Sequence, residues 1–152
     1  MGRDDDEARR AAHLAGSVGI NKVGGYLSGG MTTWREEKRD TEEIERIDVA
    51  ELRERADEVQ ILDVREQSEW DDGHIPGSDF TPYHDIHELP DGFDPARPVA
   101  VICSSGQRAA TAASLLQRHG AERPLHVIGG GVGTWARAGG PIESSEPAET
   151  TP

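Results

Sequence analysis

Val99-Ala100-Val101-Ile102-Cys103-Ser104-Ser105-Gly106-Gln107-Arg108, followed by the alanine-rich stretch Ala109 to Leu116, decides the fold. Four apolar residues in a row, bounded by small polar ones, read as a buried strand. Ala109, Ala112, Ala113 and Leu116 recur at helical spacing, so a helix with one apolar face follows. A strand running through a short loop into a helix is a unit of a parallel sheet covered on both faces. Cys103, the only cysteine of the chain, sits at the junction. Ligands of open parallel sheets bind beyond the carboxyl ends of the strands. If successive N–H groups of the loop point inward, they form an anion nest reinforced by the positive end of the helix. Arg108 adds a positive charge, and Gly106 permits a positive φ. Such a setting lowers a cysteine pKa from about 8.5 to between roughly 3.5 and 7.5. Ser104, Ser105 and Gln107 leave room for an anionic substrate and offer hydrogen bonds. A structural buried cysteine is the bland alternative, and the polar loop closed by an arginine argues against it.

Working outward, Ile47 belongs to a short first strand. Asp48 and Glu51 form a capping-box signature for a helix over Val49 to Ala56. Val59 to Leu62 is a strand that ends at Asp63-Val64-Arg65. Ser68 to Asp72 is a helical turn ahead of the breaker-rich Gly73-His74-Ile75-Pro76-Gly77. Asp79 to Thr81 adds a strand, and Val127-Ile128 is the last. The expected class is α/β, with a five-stranded, mostly parallel sheet flanked by helices. The tail 144–152 is polar and proline-bearing, and disorder is expected there.

The chain also resembles itself. Gly19 to Trp34 (GINKVGGYLSGGMTTW) aligns without gaps on Gly120 to Trp135 (GAERPLHVIGGGVGTW). Gly29-Gly30 meet Gly130-Gly131, and Thr33-Trp34 meet Thr134-Trp135. Upstream, Ala11-Ala12 and Leu14 meet Ala112-Ala113 and Leu115. Each copy predicts a helix ending at a glycine, a strand (Tyr26-Leu27; Val127-Ile128), a glycine turn and a helix near the tryptophan. The same register sets Gly2 opposite Cys103. Residues 1–40 therefore read as the back half of a preceding repeat without a nucleophile, followed by a complete domain at 41–143. Half a parallel unit cannot bury its own apolar face, so a longer parent chain or a docked half-repeat is expected.

Composition narrows the function. The 152 residues carry 29 acidic against 16 basic side chains, a net charge of −13. That balance excludes nonspecific nucleic-acid binding, which needs a basic face. The hydrophobic share is 34% and the mean hydropathy is −0.65, and no stretch is long and apolar enough to span a membrane. A lone free thiol and a charged N-terminal stretch lead us to expect a cytoplasmic protein.

Asp63-Val64-Arg65, Glu69-Trp70, Gly73-His74-Ile75-Pro76-Gly77-Ser78, Cys103-x-x-Gly106-x-Arg108, and Gly129-Gly130-Gly131 with Trp135 occur in that order. Together they resemble a rhodanese domain over about residues 44–143, and residues 1–40 resemble the C-terminal half of another. Tandem domains, sometimes behind a metallo-β-lactamase domain, are an arrangement of that family. The resemblance implies sulfur transfer with Cys103 carrying sulfur as a persulfide and Ser104 to Arg108 as its cradle. It makes Asp63 and Arg65 mainly structural, with Glu69 a partner for Arg65. His74 is expected to shape the turn before Pro76.

The implied donor is thiosulfate or a persulfide, and the acceptor is an external thiol or protein, since no second cysteine exists to resolve the persulfide. No cofactor is called for. His74, His84 and His87 lack metal-ligand spacing. Gly129-Gly130-Gly131 lacks the Walker lysine pattern and reads as a tight turn, and Trp135 reads as core. Four residues separate Cys103 from Arg108, whereas tyrosine phosphatases use C-x5-R, so phosphatase chemistry ranks second among enzymes. A noncatalytic interaction module is the contrasting reading.

Overall fold

The computed structural model describes residues 2–145. It divides into two units between Glu43 and Ile44. In the second unit the strands are β1 (Glu45–Asp48), β2 (Gln60–Asp63), β3 (Asp79–Phe80), β4 (Val99–Ile102) and β5 (Pro124–Ile128). They form one sheet in the order β1-β5-β4-β2-β3, and every pairing is parallel. The helices are α3 (Val49–Glu54), α4 (Gln67–Asp72), α5 (Gln107–Arg118) and α6 (Val132–Arg137). The sheet is the five-stranded, helix-flanked one expected.

Local chemistry sets the helix starts. The Asp48 side chain accepts from the Glu51 N–H and the Glu51 side chain accepts from the Asp48 N–H, which closes the capping box of α3. Glu66 and Glu69 form the same box at α4. The core has two faces. Ile61, Ala100, Ile102, Leu125 and Val127 pack with Leu52 of α3 and Val132 and Trp135 of α6. Leu62, Val99, Val101 and Cys103 pack with Ala109, Ala112, Ala113 and Leu116 of α5. The period-2 alternation of β4 thus continues one step past its end and directs Cys103 onto the α5 face. The alanines let α5 lie close to the sheet.

The first unit holds α1 (Asp5–Ser17) and α2 (Gly30–Glu36). The strand expected at Tyr26-Leu27 does not form. β5 is held between β1 and β4, and among the described residues of the first unit there is no strand to pair with. The backbone bonds nevertheless recur in the register of the sequence alignment. Ile20 N–H donates to the Ala15 carbonyl as Ala121 does to Leu116, and Met31 N–H to Gly2 as Val132 does to Cys103. Arg39 N–H donates to Trp34 as Gly140 does to Trp135. Trp34 Nε1 donates to the Asp40 carbonyl at 3.0 Å, and Trp135 Nε1 to that of Pro141 at 2.9 Å. Of the tail 144–152, Ser144 and Ser145 are exposed without regular structure, and 146–152 lie outside the described residues.

Candidate active site

The carboxyl ends of β2, β4 and β5 meet on one edge of the sheet because all three run parallel. Cys103 leaves β4 there, fully buried. Its Sγ accepts the Gly106 N–H at 3.0 Å. Gly106 makes this possible by taking φ +93 as the N-cap of α5, a conformation open to glycine at little cost. The Gly106 carbonyl is bonded in turn to His126 Nε2 at 2.8 Å. A carbonyl only accepts, so the ring carries its proton on Nε2.

Gly131 fixes the other side. A Cβ at this position would lie 1.7 Å from the Cys103 carbonyl oxygen, and that oxygen accepts the Val132 N–H at 3.0 Å. The close approach of the two backbones, rather than tight turning as read from the sequence, demands glycine at this third position of the run.

Arg108 lies in the first turn of α5, where the helix dipole disfavours a cation. A carboxylate offsets it. Nη1 and Nη2 of Arg108 donate to Glu69 at 2.5 and 3.0 Å, and Nη2 also donates to Ser104 Oγ at 2.8 Å. The hydrogen bond from Arg108 holds the Glu69 carboxyl well below its ordinary range, at about 2. The guanidinium of Arg108 is shifted upward, first by this bond and then by the charges of Glu69, Cys103 and Glu66. The expected Glu69–Arg65 pairing is therefore corrected. Arg65 instead clasps Asp63, with Nε 2.9 Å from both carboxylate oxygens and Nη2 2.7 Å from Oδ2, and Nη2 also reaches the Gly73 carbonyl at 2.7 Å. Asp63 and Arg65 are both buried and lie only two residues apart, which favours their closing on each other at the end of β2.

The match to the family model described as "Rhodanese-like domain" covers residues 48–138. The chain belongs to the rhodanese-like domain family. A "Sulfurtransferase" of Allochromatium vinosum is 33% identical over 90 residues, 59% of this chain and 83% of that protein. The "Putative sulfur carrier protein YrkF" of Bacillus subtilis is 31% identical over 72 residues, 47% of this chain, which spans only 39% of that protein's length. The solution structure of the rhodanese-like domain from the Anabaena Alr3790 protein superposes with a TM-score of 0.59 at 28% identity, covering 70% of this chain and 84% of that domain.

Within this rhodanese-like domain the loop carries two bonded groups, Cys103 with Gly106 and Ser104 with Arg108 and Glu69. Ser105 and Gln107 are exposed at its rim. His74 is buried away from the loop's bonds. Its Nδ1 lies 3.0 Å from the Trp70 carbonyl, its ring stacks on Trp70 at 3.6 Å, and its backbone pairs with Glu143. Trp135 is core, and no helix among the described residues is long and apolar enough to cross a membrane.

Sequence reasoning missed His126. Its signal was present: Leu125 and Val127 are apolar and buried on the opposite face, so alternation aims His126 at the α5 face, opposite Val101. His84, weighed from the sequence only as a metal ligand, lies 3.2 Å from Glu66 and 3.0 Å from Asp85. Those carboxylates, Glu66 first, raise its pKa. Nothing in the local sequence marks that contact.

Proposed function

We propose that the protein is a sulfurtransferase that moves sulfane sulfur through a persulfide on Cys103. The single observation that carries this is the Gly106 N–H aimed at Sγ at 3.0 Å from the mouth of α5. An N–H aimed at Sγ meets negative charge at that atom with a preorganised dipole. Cys103 thiolate attacks the outer sulfur of thiosulfate or a persulfide, the sulfur–sulfur bond of the donor breaks, and sulfite or a thiolate leaves. An external thiol or protein then attacks the outer sulfur of the Cys103 persulfide and regenerates the thiolate, a double displacement. Cys103 is buried as the loop stands, so the loop must open for a donor to reach Sγ. Ser104 to Arg108 shape the cradle, Asp63 and Arg65 hold the neighbouring strand end, and no cofactor takes part. The setting for this reaction is a cytoplasm that keeps the thiol reduced. Incubation with thiosulfate or an organic persulfide should add one sulfur atom to the intact mass, and Cys103→Ser should abolish the gain. An unchanged mass with both donors would sink the reading.

The second reading is a noncatalytic interaction module, and the first unit favours it. We infer that residues 1–40 are the back half of a rhodanese-like unit, followed by a complete one at 41–143. The recurring backbone bonds support this. Gly2 stands where Cys103 stands in the other unit, so a half-unit of this kind contributes surface and no nucleophile. A Cys103 that is alkylated yet never accepts sulfur would favour the module.

A further inference from the structure

The next step rests on the sulfur-transfer reading and concerns which donor the Cys103 site selects. A Cys103 thiolate meeting thiosulfate brings three negative charges into one loop, and the departing sulfite is again a dianion. A site built for that reaction needs positive charge left over to hold them. Among the described residues, both arginines at this end of the sheet are already engaged by carboxylates. Arg108 gives Nη1 and Nη2 to Glu69 and Nη2 to Ser104. Arg65, on the neighbouring strand end, is clasped by Asp63. Glu66 shares a capping box with Glu69, and its charge also acts on Arg108. Glu66 is bonded to His84, which is bonded to Asp85 as well. Arg65 is thus met by Asp63, and Arg108 by Glu69 and Glu66, with His84 between Glu66 and Asp85 and His126 against the Gly106 carbonyl as the other titratable groups. The net charge of the whole chain, −13, has the same sign. Charges of one sign at a cleft repel ligands of that sign and attract the opposite.

We propose that Cys103 takes its sulfur from an organic persulfide of low net charge, and that Glu69 and Glu66 set this choice by engaging Arg108 and outnumbering it. In the transfer, an electron pair on Sγ forms the bond to the outer sulfur of R–S–SH. The bond between the donor's two sulfurs breaks, and its electron pair leaves on R–S⁻. The proton stays on the transferred sulfur, giving Cys103–S–SH. No oxidant or reductant is consumed. A donor whose far end carries an ammonium group is attracted by Glu69 and Glu66, whereas a dianion is repelled.

The test compares single-turnover loading of Cys103, followed by intact mass, from thiosulfate and from cysteamine persulfide generated in situ from its trisulfide. The persulfide should load at least about tenfold faster at low salt, the factor that one pair of unit charges about 10 Å apart gives at an effective dielectric constant of about 20. Sodium chloride at about 0.5 M should speed loading from thiosulfate by screening the repulsion. Glu69→Gln and Glu66→Gln should each raise the ratio of thiosulfate to persulfide loading. The second variant leaves the Glu69–Arg108 pair in place, so a folding defect in the first does not remove the test. Thiosulfate loading that matches the persulfide, or that salt slows, overturns this inference and leaves sulfur transfer standing. Loading from neither donor removes both.

Discussion

Gly19 to Trp34 and Gly120 to Trp135 share a pattern and share backbone bonds, yet only one of them contains a strand. The helices, the glycine after each, and the tryptophan indole bonds form in both units. Pro124–Ile128 is a strand, whereas the matching Val23 to Leu27 is not. Tyr26 is 58% exposed where Val127 is 0%, and Ile20 is 57% exposed where Ala121 is 4%. Helices and caps close their bonds within a few residues. A strand closes them only on neighbours distant in sequence, so it exists where β1 and β4 flank it and not otherwise. The loop positions show the same economy of local contact. Arg3 bonds Glu7 in the first unit, and Ser104 bonds Arg108 at the same two positions in the second, with the charge at the later position reversed.

The largest contrast expected is in amide exchange. Leu125 to Val127 should exchange near the global limit, slower than Val23 to Tyr26 by a factor of about a thousand or more. Equal protection in the two segments would break the comparison, because it would mean that the first unit has found a ladder partner. Hydrogen–deuterium exchange read by mass spectrometry on the full chain decides it.

A smaller effect is expected from Gly131→Ala. Its Cβ would sit on the Cys103 carbonyl, so the variant should lose about 1–3 kcal/mol in a denaturant melt, the usual cost of overpacking. It should also load sulfur more slowly, since the cysteine loop must shift. Gly30→Ala meets a comparable crowding against Arg3, but there is no thiol at the matching position, and sulfur loading should be unaffected. Equal loading rates in wild type and Gly131→Ala would show that the contact does not position the loop.

The smallest effect is electrostatic. Glu69, held at about 2 by Arg108, has a folded pKa below the unfolded value. The pair therefore contributes stability above about pH 4.5, and this is lost as pH falls towards 2. Glu69 is about a third exposed, so solvent screening keeps the contribution to about 1 kcal/mol or less. Glu7, bonded to Arg3 on the surface of the first unit, is also lowered, by the same kind of hydrogen bond. Carboxyl NMR titration should find both below the ordinary glutamate range. A Glu69 that titrates in the ordinary range would show that its bond to Arg108 does not persist in solution.

Much of the site was legible because its parts are local. An apolar run followed by Cys103, a glycine that accepts positive φ and an alanine-faced helix specify a strand, a loop and a helix mouth within the eighteen residues from Val99 to Leu116. Once β4 is a strand, period-2 alternation sets Cys103 on the same face as Val99 and Val101, but only the packing shows that α5 covers that face. The pairing of Glu69 was not legible. Arg65 is nearer to Glu69 in sequence than Arg108 is, but Asp63, two residues away and equally buried, takes Arg65 first. That leaves Glu69 for an arginine from a helix that only the sheet order brings beside it.

The sequence by itself determined the main elements of the second unit, the parallel class of the sheet and the place of the thiol at a strand end, because those follow from periodicity, capping and backbone freedom over short spans. Only the tertiary structure decided which carboxylate neutralises which arginine, that His126 braces the Gly106 carbonyl, and that Val23 to Leu27 remains outside any sheet. Each of these depends on partners far apart along the chain, and their meeting is fixed by the order in which the strands assemble.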